Sequence, residues 1–382
     1  MSIQVDKTLD SRFRGNDGAG RLLTLDVFRG LTIAGMILVN SPGNQTAYAQ
    51  LEHAEWNGCT FTDWVFPFFL FSVGVSLAFS LSKRLENQEP PRTLLVKILK
   101  RAAILFALGL LLNGFPAYHL SSIRIPGVLQ RIALCYLAAS VLFLKTRVWT
   151  QASVACALLV GYWLAMTSVP VAGYGAADLG MEGNLGAYID RLLLSGHIYK
   201  PVYDPEGLFS TLPAIATTLL GNLTGVWLLS NRTGGQKVRG MILAGGLTAG
   251  AGWLWGLVFP INKALWTSSY VLWTGGLALI ILAICYGLIE VYGRRGWCKP
   301  FEALGINAIA AYLLHILFLK IQNLIHVPRL DGSPGNLRLY ISEHLFGWTS
   351  LENASLFYAL SYTLLWLVFF WVLYRRKLFI KI

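Results

Sequence analysis

Polar punctuation cuts this chain into long apolar runs. Ten of them, near 22–40, 61–82, 98–116, 126–144, 149–170, 208–230, 241–260, 268–291, 301–320 and 354–374, approach the roughly 20 residues an α-helix needs to cross a hydrocarbon core. The pattern predicts an all-α polytopic membrane protein of about ten transmembrane helices. Connections on one side are short, as antiparallel neighbouring helices require. Two on the other side are long, about 171–207 and 321–353, and loops of that length are uncommon unless functional. Together with 41–60 they could roof a cavity. A single transmembrane domain is expected over 21–382. Residues 1–20 are polar, contain glycine and lack an apolar core. They read as a disordered cytoplasmic tail rather than a signal peptide, with the first span as an uncleaved insertion signal.

Composition agrees with the pattern. Hydrophobic residues make up 55% of the 382 and charged residues only 13%, against about 25% charged in soluble domains. The net charge of +12 invites a nucleic-acid partner, but its distribution argues for a lipid bilayer instead. With ten spans and a cytoplasmic N-terminus, most Lys and Arg fall on the cytoplasmic side, in clusters such as Lys83/Arg84, Lys97/Lys100/Arg101 and Arg375/Arg376/Lys377. The opposite loops hold Arg124, Arg191, Lys200, Lys263, Arg329 and Arg338, where Asp and Glu outnumber them. This is the positive-inside bias, and it places both termini in the cytoplasm. Of five cysteines only Cys59 lies near the outer face. No disulfide framework and no Cys/His metal spacing emerges.

Ionisable residues within apolar spans are costly and point to function. Asp26 and Arg29 share a face of the first helix, either as an internal ion pair or as a lining for an anionic ligand arriving from the cytoplasm. The stretch LEHAEWNGCTFTDWVFPFFLFSVG at 51–74 sets His53 in a polar loop close to Asp63. Asp63 suits the positive end of a helix dipole, but it could equally orient the imidazole, a ready base near neutrality. In RIPGVLQR (124–131), Pro126 and Gly127 open a helix carrying Gln130 and Arg131. Its N-terminus could attract an anion, or Arg124 and Arg131 could anchor it at the headgroups. Asn307 and His315 recur at four-residue spacing through Ala311, either as a buried, satisfied pair or as ligand contacts. Asp204 and Glu206 in YDPEG, and Asn262 and Lys263 before Trp266, are polar groups beside aromatics, as at many sugar sites and many turns. Walker A, dinucleotide-binding, HExxH and GxSxG motifs are all missing.

Several stretches occur together in one order: LDVFRG (25–30), HAEWNG followed by TDWVFPFFLFSVG (53–74), RIPGVLQR (124–131), AYIDRLLL (187–194), YDPEG (203–207), INKALWTSSYV (261–271) and YRRKLFIKI (374–382). As a set they resemble the heparan-α-glucosaminide N-acetyltransferase family and its bacterial relatives, over nearly all of 21–382. The resemblance implies an all-helical membrane enzyme that passes an acetyl group from cytosolic acetyl-CoA to a glucosamine amine across the bilayer. It implies a catalytic histidine at His53, with Asn40 in the acetyl-CoA site, although the Asn40–His53 interval is longer here than in the lysosomal form. It further implies a homodimer and, for a bacterial relative, the inner membrane.

On this reading His53, Asn40 and Asp63 carry the chemistry. Asn40, Asp26, Arg29, Arg124, Gln130 and Arg131 meet the co-substrate acetyl-CoA. Asp204, Glu206, Asn262, Lys263, Asn307 and His315 meet the amino-sugar acceptor, and no metal is expected. His53 would act as general base or as a transiently acetylated nucleophile, and Asn40 could hold the thioester oxyanion. An amino-sugar transporter without chemistry is the alternative, though the internal repeats common in transporters are not visible.

Overall fold

The computed structural model describes residues 22–380, so the expected tail at 1–20 lies outside the described residues. Among those described, all regular structure is helical: α1 Leu23–Asn40, α2 Phe61–Glu86, α3 Pro91–Gly114, α4 Val128–Lys145, α5 Val148–Ser168, α6 Leu185–Leu193, α7 Thr211–Leu229, α8 Gly234–Trp255, α9 Ser268–Tyr286, α10 Cys298–Ile306, α11 Ala308–Leu324, α12 Leu337–Phe346 and α13 Leu351–Arg375. The chain is a polytopic membrane protein, and α2 runs through its middle. The apolar stretch of α2 is 72% buried, against 22% for α5 and 33% for α13 at the rim. Lipid-facing residues such as Leu243, Leu247, Leu364 and Leu365 stay exposed, because in a bilayer apolar surface need not be hidden.

Seven described helices are long and apolar enough to span, or eight if α10 and α11 form one broken span with an 83° bend. The other two expected spans, α3 and α8, fall outside that group on composition. Each has the length, 24 and 22 residues, but α3 carries Arg92, Lys97, Lys100 and Arg101, and α8 is diluted by glycine. The expected span at 301–320 is the bent pair. Asn307 sits at the break: its amide donates to Ala303 O at 3.0 Å and its carbonyl accepts from Ile380 N at 2.9 Å. It therefore ties the C-terminal segment to the bend.

Small residues bring the central helices together. A Cβ on Gly74 would strike the Thr218 carbonyl of α7, and one on Gly221 would strike the Phe71 carbonyl of α2. Gly30 and Gly305 play the same part between α1 and α10. Helices in lipid gain little from the hydrophobic effect on pairing, so close backbone approach and dispersion hold them. The consequence is a fixed α1–α2–α7 centre, with the start of α2 and the end of α1 meeting the 41–60 loop.

Both long connections contain short helices. α6 lies in 171–207 and α12 in 321–353. Asn184 caps α6 by accepting from Ala187 N at 2.8 Å, and Asn336 caps α12 by accepting from Leu339 N at 3.0 Å. Such caps satisfy amides that a helix start leaves orphaned. These segments and 41–60 gather at one end of the bundle, opposite the Lys/Arg-rich end.

Candidate active site

The site begins with the start of α2. Thr60 is extended, and Asp63 in the first turn reaches back so that its Oδ2 accepts from Thr60 N at 3.0 Å and from Ala54 N at 3.1 Å. Its other oxygen, Oδ1, lies 2.7 Å from His53 Nδ1. Cap and imidazole partner are thus one residue. A carboxylate taking amide protons at a helix N-terminus is stabilised as the anion by those bonds and by the dipole. It can only accept, so Nδ1 carries the shared proton and the Nε2 lone pair is left available. The Asp63 side chain is 1% exposed, whereas His53 is 53% exposed. The imidazole is anchored from behind and open in front.

A third group comes from far along the chain. Lys263 Nζ lies 2.9 Å from His53 Nδ1, 3.1 Å from Nε2 and 3.6 Å from Asp63 Oδ1. Near-equal distances mean that it faces the imidazole rather than lying along one lone pair. The segment carrying it is locked to the His53 loop. Gly58 N donates to Ile261 O at 2.8 Å, and the Asn262 amide donates to Asn57 Oδ1 at 3.1 Å. The Asn262 carbonyl accepts from Leu265 N at 2.9 Å, so Asn262 shapes the turn that presents Lys263. Burial pushes the Lys263 ammonium below its ordinary range, against the opposing pull of Asp63 and Glu206. Tyr270, fully buried, donates its hydroxyl to the Asp63 carbonyl oxygen at 2.6 Å. α2 and α9 are held together at the base of the site.

His53 opens into a cleft of about 420 Å³ lined also by Val39, Asn44, Glu52, Thr62 and Arg338. That volume falls in the range of small-molecule sites. Asn40, at the end of α1, is half-buried and not among the residues lining it.

A second set of expected residues forms a separate cluster beside the cleft. Arg124 donates from Nε to Asp204 Oδ2 at 2.9 Å and from Nη2 to Asp204 Oδ1 at 2.6 Å, and also pairs with Glu206. Its charge is reinforced upward by both carboxylates despite burial. Arg131 is buried, with its guanidinium 4.9 Å from the Trp266 ring centre and Nη2 donating to Gly207 O at 3.0 Å. Arg131 Nε and Nη1 and Gln130 Nε2 are buried without a partner. His315 is buried in α11, where its Nδ1 donates to Ala311 O at 2.9 Å. The residues expected around one ligand are therefore divided. Arg124, Asp204 and Glu206 are joined to each other, and Asp26 and Arg29 lie at the far end of the bundle.

That far end has its own opening, a narrow crevice of about 70 Å³ between α1, α2, α3, α4 and α11. Arg29, Ser76, Ser80, Arg101 and Tyr136 line it. Arg29 lies 3.4 Å from Asp26, and Arg101 sits 5.2 Å from the Tyr136 ring centre. Phe69 lines the crevice too, and it stands about 9 Å along α2 from Asp63 at 1.5 Å per residue. Phe66 fills the intervening turn and packs edge-on against Trp266 at 5.1 Å. Among the described residues no group of three or more His, Cys, Asp or Glu could hold a metal ion.

The family model described as heparan-alpha-glucosaminide N-acetyltransferase, catalytic, matches residues 21–248. The chain belongs to the heparan-alpha-glucosaminide N-acetyltransferase family. It is similar to the heparan-alpha-glucosaminide N-acetyltransferases of Mus musculus, 30% identical with 95% of this chain and 61% of the relative covered, and of Homo sapiens, 31% identical with 95% and 60% covered. The chain thus spans about three-fifths of the length of the curated relatives it matches. A member of a transmembrane acetyltransferase family accordingly carries a His–Asp pair in an open cleft at one end of its bundle.

Three contributors to the site were not singled out from sequence. Arg101 carried a signal, because it stands in the Lys/Arg cluster at the start of α3. Thr60 and Arg338 carried none. Thr60 contributes a backbone amide, and Arg338 reaches the cleft only through the fold of the 321–353 segment.

Proposed function

We propose that this protein transfers an acetyl group from acetyl-CoA, held at the Lys/Arg-rich end, to the amine of a glucosamine-type sugar in the His53 cleft. The observation that carries this reading is the open imidazole backed by a buried carboxylate, in a chain of this family. Free glucosamine or short glucosamine-ended oligosaccharides are the proposed acceptors. The Lys/Arg-rich end faces the cytoplasm by the positive-inside rule, so both termini are cytoplasmic and the cleft faces the periplasm of an inner membrane.

Acetyl-CoA is polyanionic at its nucleotide and thin along its pantetheine arm. The crevice is too small for the nucleotide and suits only the arm. Arg29 and Arg101 would meet phosphates at the mouth, where guanidinium groups recognise them well. The thioester must then cross the Phe66–Trp266 layer to reach His53. There Asp63 fixes the imidazole tautomer, and Nε2 takes the proton that the sugar amine loses on attack. Asn40, at the inner border of the loop, is the proposed donor to the thioester oxygen.

Reconstitution in sealed liposomes tests the whole scheme. Labelled acetyl-CoA is placed on the side of the Lys/Arg-rich end, with glucosamine opposite. Acetylated sugar should appear opposite, and only with His53 intact. Uptake of unmodified sugar, indifferent to acetyl-CoA and to His53→Ala, would overturn the enzyme in favour of a transporter.

A further inference from the structure

Acetyl transfer to a sugar requires a primary amine about 3 Å from the catalytic imidazole, within reach of the incoming acetyl carbon. Such an amine is already there. Lys263 Nζ stands 2.9 and 3.1 Å from the two ring nitrogens of His53, within reach of the same imidazole that the acceptor nitrogen must approach. Its side chain is one-fifth exposed, and the Asn57–Asn262 contact and the Ile261–Gly58 bond hold its segment against the His53 loop. We propose that Lys263 is a self-acetylation site, taking the acetyl group of a coenzyme A thioester when no sugar amine occupies the cleft. This rests on the proposed acetyltransferase reading.

The step balances without another reagent. Neutral Nζ attacks the thioester carbonyl, so an N–C bond forms and the C–S bond breaks. Nζ gives up a proton to His53, which passes it to the departing thiolate, and free coenzyme A thiol leaves. The product is an ordinary amide. Unlike an acetyl-imidazole it does not hand its acetyl group on, so the modification is terminal. It also removes the positive charge beside Asp63 and fills the approach to Nε2. The site would thereby switch itself off when donor is plentiful and acceptor scarce.

Two features tune the reaction. Burial favours the free amine of Lys263, the form that attacks. Asp63 at 3.6 Å and Glu206 nearby favour the ammonium, which protects it. The ionisable groups in contact with His53 are Asp63 from α2 and Lys263 from the turn before α9, and Glu52 and Arg338 also line the cleft. Lys200 is an exposed lysine at the same end of the bundle and serves as the internal reference.

The test uses the full chain in detergent with acetyl-CoA, with and without glucosamine, and reads acetylation of Lys263 and Lys200 by peptide mass spectrometry. Sugar acetylation is followed in parallel. Lys263 should be modified about a hundredfold faster than Lys200, the low end of what a positioned base supplies. Glucosamine should suppress the mark, and sugar turnover should fall as the mark accumulates. His53→Ala should bring Lys263 down to the Lys200 rate. The wild-type ratio alone carries the test if that variant misfolds. Lys263 unmodified, or modified no faster than Lys200, overturns the proposal. Sugar acetylated in that same sample leaves the acetyltransferase reading standing; no sugar product removes both.

Discussion

Two clusters of carboxylates and cations sit at the same end of this bundle, and they are built to opposite ends. In one, Arg124 is matched by Asp204 and Glu206, and Asp204 also accepts from Tyr199 N and Glu206 N at 2.8 and 2.9 Å. The carboxylate is saturated and out of solvent. It clasps the 197–207 segment to the start of α4 and leaves nothing free to react. In the other, Asp63 is equally buried and equally bonded, but it spends one oxygen on an imidazole that is half-exposed at a cleft. A closed ionic cluster stiffens a fold, whereas an open one can move a proton. The lesson is that counting charges near a loop does not locate chemistry. The unsatisfied, accessible atom does.

The contrast can be broken most sharply at His53. His53→Ala should lower sugar acetylation by about 10² to 10⁴, the contribution of a positioned base. Thermal stability should fall less than in Arg124→Ala, because Asp63 Oδ1 loses the imidazole but keeps Lys263 at 3.6 Å. An equal fall in stability would make His53 a structural residue like Arg124. Asp63→Asn is the next largest effect. Asparagine keeps an acceptor for the cap but loses the charge that fixes the tautomer. We expect turnover to fall by about 10², with a smaller loss of stability; unchanged turnover would remove the orienting role.

Arg124→Ala should show the reverse signature. It strands the buried Asp204 carboxylate, and breaking such a pair costs about 3 kcal/mol, the low end of the usual range because Arg124 is itself one-fifth exposed. A drop in melting temperature with kcat retained in the remaining folded protein is the expected result. Lost kcat at intact stability would move Arg124 into the active site. At the far end, Arg101→Gln should raise KM for acetyl-CoA severalfold and leave KM for the sugar alone. A change confined to the sugar would reverse the proposed orientation of donor and acceptor.

The smallest effect concerns pH. Asp190 in α6 is buried, and that burial raises its carboxyl to about 6 although its Oδ1 accepts from Leu208 N at 2.8 Å. Its ordinary value is about 4. Between these limits the folded protein keeps a proton that the unfolded chain has released, so this group makes stability fall as pH rises from about 4 to about 6. The full effect is about 3 kcal/mol at most. Melting curves of Asp190→Asn across this window should decline less steeply than wild type. Parallel curves would show that Asp190 is ionised throughout.

Much of the architecture was legible along the chain because lipid imposes a simple demand. Apolar runs of spanning length must become helices, so the pattern marked α1, α2, α4, α5, α7, α9 and α13. It also marked α3 and α8, whose composition is less apolar than that of the others, and it could not show the bend at Asn307. His53 and Asp63 stood out because polar residues bordering an apolar run are few, and they lie ten residues apart in one loop and the helix it enters. Lys263 was legible only as a polar residue near an aromatic.

What the sequence alone determined is the long apolar helices, the gathering of Lys and Arg towards one end of them, and the family. Which groups touch was left to the tertiary structure. Lys263 is separated from His53 by 210 positions, and no local periodicity encodes a contact over that distance. The same holds for Arg124 with Asp204, eighty positions apart. The physical reason is that hydropathy acts on each segment against its solvent. A hydrogen bond between two loops exists only once glycine-lined helices have packed closely enough to bring their ends together.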